Sequence, residues 1–121
     1  MEVILDSNFI ISCVKRKIDF INELMQLGFK IVVPREVIQE LKDLRLKVNR
    51  DERGFIDVGL ISIDSKKVKK MGFGEGKIDE YLIQKGKTGA YIATLDSSVK
   101  RAVSNKVLIS DAKNSLIVER I

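Results

Sequence analysis

Four acids, Asp6, Glu40, Asp79 and Asp96, are the residues of this 121-residue chain whose types and positions suggest chemistry. Asp6 ends the unbroken apolar run Val3-Ile4-Leu5, and Asp96 ends the run Gly89 to Leu95. Such runs read as strands covered on both faces, as in the middle of a parallel sheet. The carboxyl ends of parallel strands share one rim, and ligands of open α/β sheets sit at that rim. Glu40 lies about 90° round a helix from the direction shared by Val37, Ile38, Leu41, Leu44 and Val48, at the edge of the buried face. Glu36 and Asp43 point further toward solvent. Asp79 falls inside the apolar arc of Ile78, Tyr81, Leu82 and Ile83. A carboxylate there is costly unless it is paired, hydrogen-bonded or bound to a cation.

The composition narrows the chemistry further. The chain has no histidine and one cysteine, Cys13, so zinc-hydrolase, Ser-His-Asp, Cys-His and disulfide chemistry are excluded. Converging carboxylates repel one another unless one takes up a proton or a cation sits between them. One or two magnesium or manganese ions would fit, because hard divalent cations take oxygen ligands and need no imidazole. Such sites activate water against a phosphodiester. Each acid also has an ordinary reading: Asp6 as a helix cap, Glu40 as a solvated flank residue, Asp79 as an acid satisfied by a local hydrogen bond. Cys13 reads as core. The formal net charge of +5 tilts toward a polyanionic partner.

Elements must hold these acids in place. After the first strand, Asp6-Ser7-Asn8 supplies capping residues for a helix to about Lys15. Ile18 to Met25 repeats at helical spacing and ends at Gly28. Lys30 to Val33 reads as a second strand, and Pro34 starts the helix of about Arg35 to Lys47. Asn49 to Gly54 reads as a loop and Val58 to Ile63 as a third strand. A basic segment capped by Ser65 carries Lys66, Lys67, Lys69 and Lys70, which form either an RNA-contacting patch or a solvated helix face. Gly72-Phe73-Gly74-Glu75-Gly76 lacks a phosphate-binding fingerprint and reads as a flexible entry to the helix Lys77 to Lys85. Ser97 to Arg101 reads as a helix, and Val107 to Ile109 and Leu116 to Val118 as closing strands. Strand and helix alternate along a single domain, residues 1–121, which predicts an α/β fold with a mainly parallel sheet. No stretch approaches the ~20 apolar residues of a membrane span, and the N-terminus opens on a strand rather than a signal region, which predicts an intracellular, cytoplasmic protein.

Asp6-Ser7-Asn8 after the first strand, Glu40 on the helix after the second, Asp79 on a later helix and Thr94-Leu95-Asp96 at a strand end resemble a PIN domain, in order and over essentially the whole chain. The resemblance implies a three-layer α/β/α sandwich about a five-stranded sheet. It also implies a metal-dependent endonuclease acting on single-stranded or structured RNA. By it, Asp6, Glu40, Asp79 and Asp96 are the catalytic and metal-site acids, supported by Asn8, Thr94 and Ser98. The chain departs from the family pattern at Leu95 and Ser98, where Asn and a further acid often stand. Val-Val-Pro-Arg-Glu-Val-Ile-Gln-Glu-Leu looks more like the archaeal rRNA-processing branch than a toxin of a toxin–antitoxin pair. A homodimer, an inhibitor protein or a ribosomal assembly partner is compatible with either.

Two functions stay open at this point. One is a magnesium- or manganese-dependent endoribonuclease. The other is a catalytically silent RNA-binding or assembly module, which Leu95, Ser98 and the net positive charge favour. A phosphoacceptor signalling domain is set aside, since Ser7 and Asn8 follow Asp6 where a receiver would carry an acidic pair.

Overall fold

The computed structural model describes residues 1–120, and its centre is the first strand. β1 (Glu2–Leu5) lies between β2 (Lys30–Pro34) and β4 (Tyr91–Ala93), with Ile4 opposite Val32 on one side and Ile92 on the other. The six-stranded sheet runs β3 (Val68–Met71), β2, β1, β4, β5 (Lys106–Ser110), β6 (Ser115–Glu119). All neighbours are parallel except β6, which folds back antiparallel on β5. The sheet thus has one strand more than expected, an antiparallel ribbon added at one edge.

Side chains alternate across the strands, so each face receives its own layer. Val3, Leu5, Ile31 and Val33 pack under α1 (Ser7–Lys15), α2 (Phe20–Gln26), α3 (Arg35–Arg45) and α4 (Arg50–Ile63). Ile4, Val32 and Ile92 meet Leu82 of α5 (Ile78–Lys87) and Val99 of α6 (Ser97–Ala102) on the other face. This is the three-layer α/β/α arrangement that the family resemblance implies. Cys13 is fully buried in the first layer, and burial pushes its thiol up to about 12.

Two expectations are corrected. Val58 to Ile63 is the second half of α4, not a strand, and Asn49 to Gly54 is its start, not a loop. Asn49 caps the helix by accepting the Glu52 amide at 2.9 Å, and Asp51 and Glu52 in the first turn suit the helix dipole. Ile56, Gly59 and Ile63 are buried at spacings of a helix, while Val58 and Ile61 face out. The basic segment is not helical either: Val68–Met71 is strand β3, paired in parallel with Ile31 to Pro34. Among the described residues no helix is long and apolar enough to cross a membrane.

Candidate acidic site at the carboxyl rim

Adjacency of β1 and β4 sets the geometry. Leu5 pairs with Ala93, and the Asp6 amide donates to the Ala93 carbonyl at 2.9 Å, so Asp6 and Thr94 leave the sheet side by side. Asp6 takes extended backbone geometry as the cap of α1. One of its carboxylate oxygens accepts the Ser7 amide at 2.9 Å, and the other accepts the Thr94 hydroxyl at 2.8 Å. The side chain is only 6% exposed. Burial is the main force raising its pKa; the Thr94 and Ser7 hydrogen bonds oppose it, and the charges of Glu40 and Asp96 push it higher again.

Thr94 joins two acids. While its hydroxyl donates to Asp6, its oxygen accepts the Asp96 amide at 3.1 Å. Asn8 closes the same corner by accepting the Leu95 amide at 3.0 Å. Asp96 caps α6, accepting the Ser98 hydroxyl at 2.7 Å and the Ser98 amide at 2.9 Å. The Ser98 hydroxyl is the first cause holding the Asp96 carboxyl below the usual range. Each of Asn8, Thr94 and Ser98 therefore bonds to an acid or to the loop that carries one.

Glu40 enters from α3 and accepts the hydroxyl of Ser7, the residue after Asp6. It is more exposed than its place on the helix wheel predicts. Glu36, one turn earlier, is the half-buried acid of this helix: its carboxylate accepts the Phe73 amide at 3.3 Å. Asp79 sits half-buried in the first turn of α5 and accepts the Glu80 amide at 3.0 Å, a bond within its own turn. Among the described residues no three Asp, Glu or Cys side chains stand close enough to share one metal ion. Asp6, Glu40 and Asp96 meet at the rim, then, without forming a ready-made cage, and Asp79 is satisfied by its own helix.

The lysines lie elsewhere. Val68 pairs with Ile31, so Lys66 and Lys67 come beside Lys30 at the amino end of the sheet, opposite the rim that holds Asp6. With Lys69 and Glu2 they border a cavity of about 590 Å³. Lys70 is half-buried and donates to the Ser65 carbonyl at 2.8 Å. At the acidic rim, a groove of about 410 Å³ runs along α3 past Glu36, Gln39, Glu40 and Asp43. Another, of about 330 Å³, opens between Ser12, Arg16, Thr94 and Lys100. Asp111 borders it and is ion-paired to Arg16 at 2.5 Å.

Sequence reasoning did not single out Ser7 or Phe73, and it turned Glu36 further toward solvent than Glu40, the reverse of the observed order. Ser7 could have been found as the polar residue between an acid and a helix, whereas the Glu36–Phe73 bond joins positions 37 residues apart and leaves no local signal.

The family model described as "PIN like domain" matches residues 3–110. No curated protein sequence matches the chain. Eleven chains of solved structures match its fold. One is the PIN domain endonuclease Utp24, with a TM-score of 0.74 and 18% identity over 99% of this chain and 95% of that one.

Proposed function

The chain belongs to the PIN-like domain family, and on that footing we propose that it is a metal-dependent endoribonuclease that hydrolyses RNA phosphodiester bonds. The observation that carries the reading is Asp6, a buried carboxylate whose proton is held more tightly by burial and by the nearby charges of Glu40 and Asp96. A cation relieves that repulsion. The donor set fits magnesium or manganese, since every candidate ligand is an oxygen and magnesium keeps several waters while taking one or two carboxylates. Asp6 and Glu40 would hold it, with Asp96 and Asp79 as the further acids of the set. When bound, the ion would supply an acidified water and positive charge for the phosphodiester oxygens.

The protein's own groups have separate tasks. Thr94 orients Asp6 and, through its bond to the Asp96 amide, keeps the two acids in register. Ser7 couples α1 to Glu40. The grooves past Glu40 and past Thr94 and Arg16 give an RNA strand room on both sides of the acids. Of the two biological settings, rRNA processing is favoured over a toxin role by the Val32 to Leu41 segment; mapping the cut positions in ribosomal and messenger RNA decides between them.

The test is incubation of the purified protein with structured and single-stranded RNAs in magnesium, manganese or chelator, beside Asp6→Asn. Metal-dependent cutting that the variant lacks is the expected result. Equal cutting by the variant would sink the assignment. The competing reading, a silent RNA-binding module, is favoured by the spacing of the rim acids, of which no three among the described residues stand close enough to share one metal ion. It requires RNA binding in chelator with no cutting in either metal.

A further inference from the structure

We infer that Phe73 is a stacking platform for a nucleobase, positioning an RNA strand beside the acidic rim. The inference takes its polymer from the endoribonuclease reading, but it concerns binding and not cleavage.

Phe73 lies in the loop between β3 and α5, flanked by Gly72 and Gly74. Gly72 has the Glu36 carboxylate against it, whereas Gly74, at φ 86°, holds a left-handed turn with open space where a Cβ would stand. Two contacts fix the ring. The Phe73 amide donates to the Glu36 carboxylate at 3.3 Å, and the ring stacks on Tyr81 of α5 with centroids 4.6 Å apart and planes 21° from parallel. Glu36 and Glu40 are one helical turn apart on α3, and Glu40 accepts the hydroxyl of Ser7, next to Asp6. The anchor of the aromatic pair is thus about 6 Å from the Glu40 side of the rim. That puts the pair within reach of a nucleotide neighbouring the one at Asp6.

Charge decides which part of the strand comes here. The groove along α3 is lined by Glu36, Glu40 and Asp43, with Lys47 as its one cation among the lining residues. Away from the ion that Asp6 and Glu40 would hold, Glu36 and Asp43 repel phosphates, so a strand passing them turns its bases toward α3 and its backbone away. A half-exposed ring, already stacked once, offers those bases a partner that does not discriminate between them. The Glu36 hydrogen bond explains why an acid in this groove is half-buried: it holds the loop.

The experiment measures RNA binding in chelator. The chain has no tryptophan, so Phe73→Trp introduces a single fluorescent reporter. Its emission should be quenched saturably by single-stranded RNA, with affinity close to that of the parent. Phe73→Leu, which keeps apolar bulk without the ring, should bind about tenfold more weakly, as loss of one stacked base implies. Unchanged emission on RNA binding, or parental affinity in Phe73→Leu, overturns the inference. If Phe73→Leu melts at a markedly lower temperature, the tryptophan signal alone carries the test. The two readings fail separately: RNA binding with quenching but no cutting removes only the nuclease, while cutting with parental affinity in Phe73→Leu removes only the platform.

Discussion

Asp6 and Asp96 are two carboxylates on one rim whose protons respond in opposite ways. Burial, first of all, raises the Asp6 carboxyl above its ordinary 3.8, while the Ser98 hydroxyl, first of all, lowers that of Asp96. Between 3.8 and its raised value, Asp6 binds more proton folded than unfolded, so its contribution to stability falls as pH rises through that window. Above the window its charge is a standing cost. Asp96 does the reverse: its contribution is complete above the unfolded value and is lost as pH falls toward the folded one. Asp6→Asn should therefore lose the decline just above 3.8, as thermal melts across pH would show. At Asp96 the cap and the charge can be separated. Asp96→Asn keeps a good N-cap for α6, whereas Asp96→Ala should cost about 1 kcal/mol by denaturant unfolding, and both should abolish cutting.

Elements were legible in proportion to how locally they are determined. β1, β2 and the helices after them follow from apolar runs and caps within a few residues, and the structure keeps them nearly as read. The segment Val58 to Ile63 was not legible as helix because its β-branched residues mimic a strand, while its helical period emerges only with Ile56 and the Asn49 cap included. β3 was hidden by its lysines, which suit an exposed edge strand as well as a helix face. The rim followed the same division. Asp6 and Asp96 could be placed because strand ends announce themselves, but the orientation of Glu36 and Glu40 depends on Ser7 and Phe73, distant in sequence. Gly86 shows how tightly the second layer is packed. A Cβ there would run into Val103, its Cβ only 3.0 Å away, and come to 3.4 Å from Ile92. Gly86→Ala should destabilise by about 1–3 kcal/mol despite the better helix propensity of alanine, as calorimetry would record.

At the scale of the molecule, an acidic cluster and a lysine cluster stand at opposite ends of one sheet. The acids gather where β1 and β4 end, and Lys30, Lys66 and Lys67 gather where β2 and β3 begin. Strands of four or five residues separate these ends by about 15 Å. On the proposed reading, a trinucleotide centred on Asp6 extends one nucleotide to either side, short of the lysines. Lys66→Glu with Lys67→Glu should leave cutting of a trinucleotide at the parental rate, and a large loss there would show that the two ends act together. On a long RNA the same pair of changes reports, through the salt dependence of binding, whether the strand continues to the far end.

The hydrogen bond from Thr94 to Asp6 joins residues 88 apart, and Ser7 reaches Glu40 across 33. In synthesis Asp6 is made 88 residues ahead of its partner Thr94, and the neighbouring Asp96 follows Thr94. Until β4 is made, the edge of β1 that it pairs with has no partner strand. The rim is therefore assembled late: Asp6 waits without its hydroxyl partner until β4 takes its place beside β1.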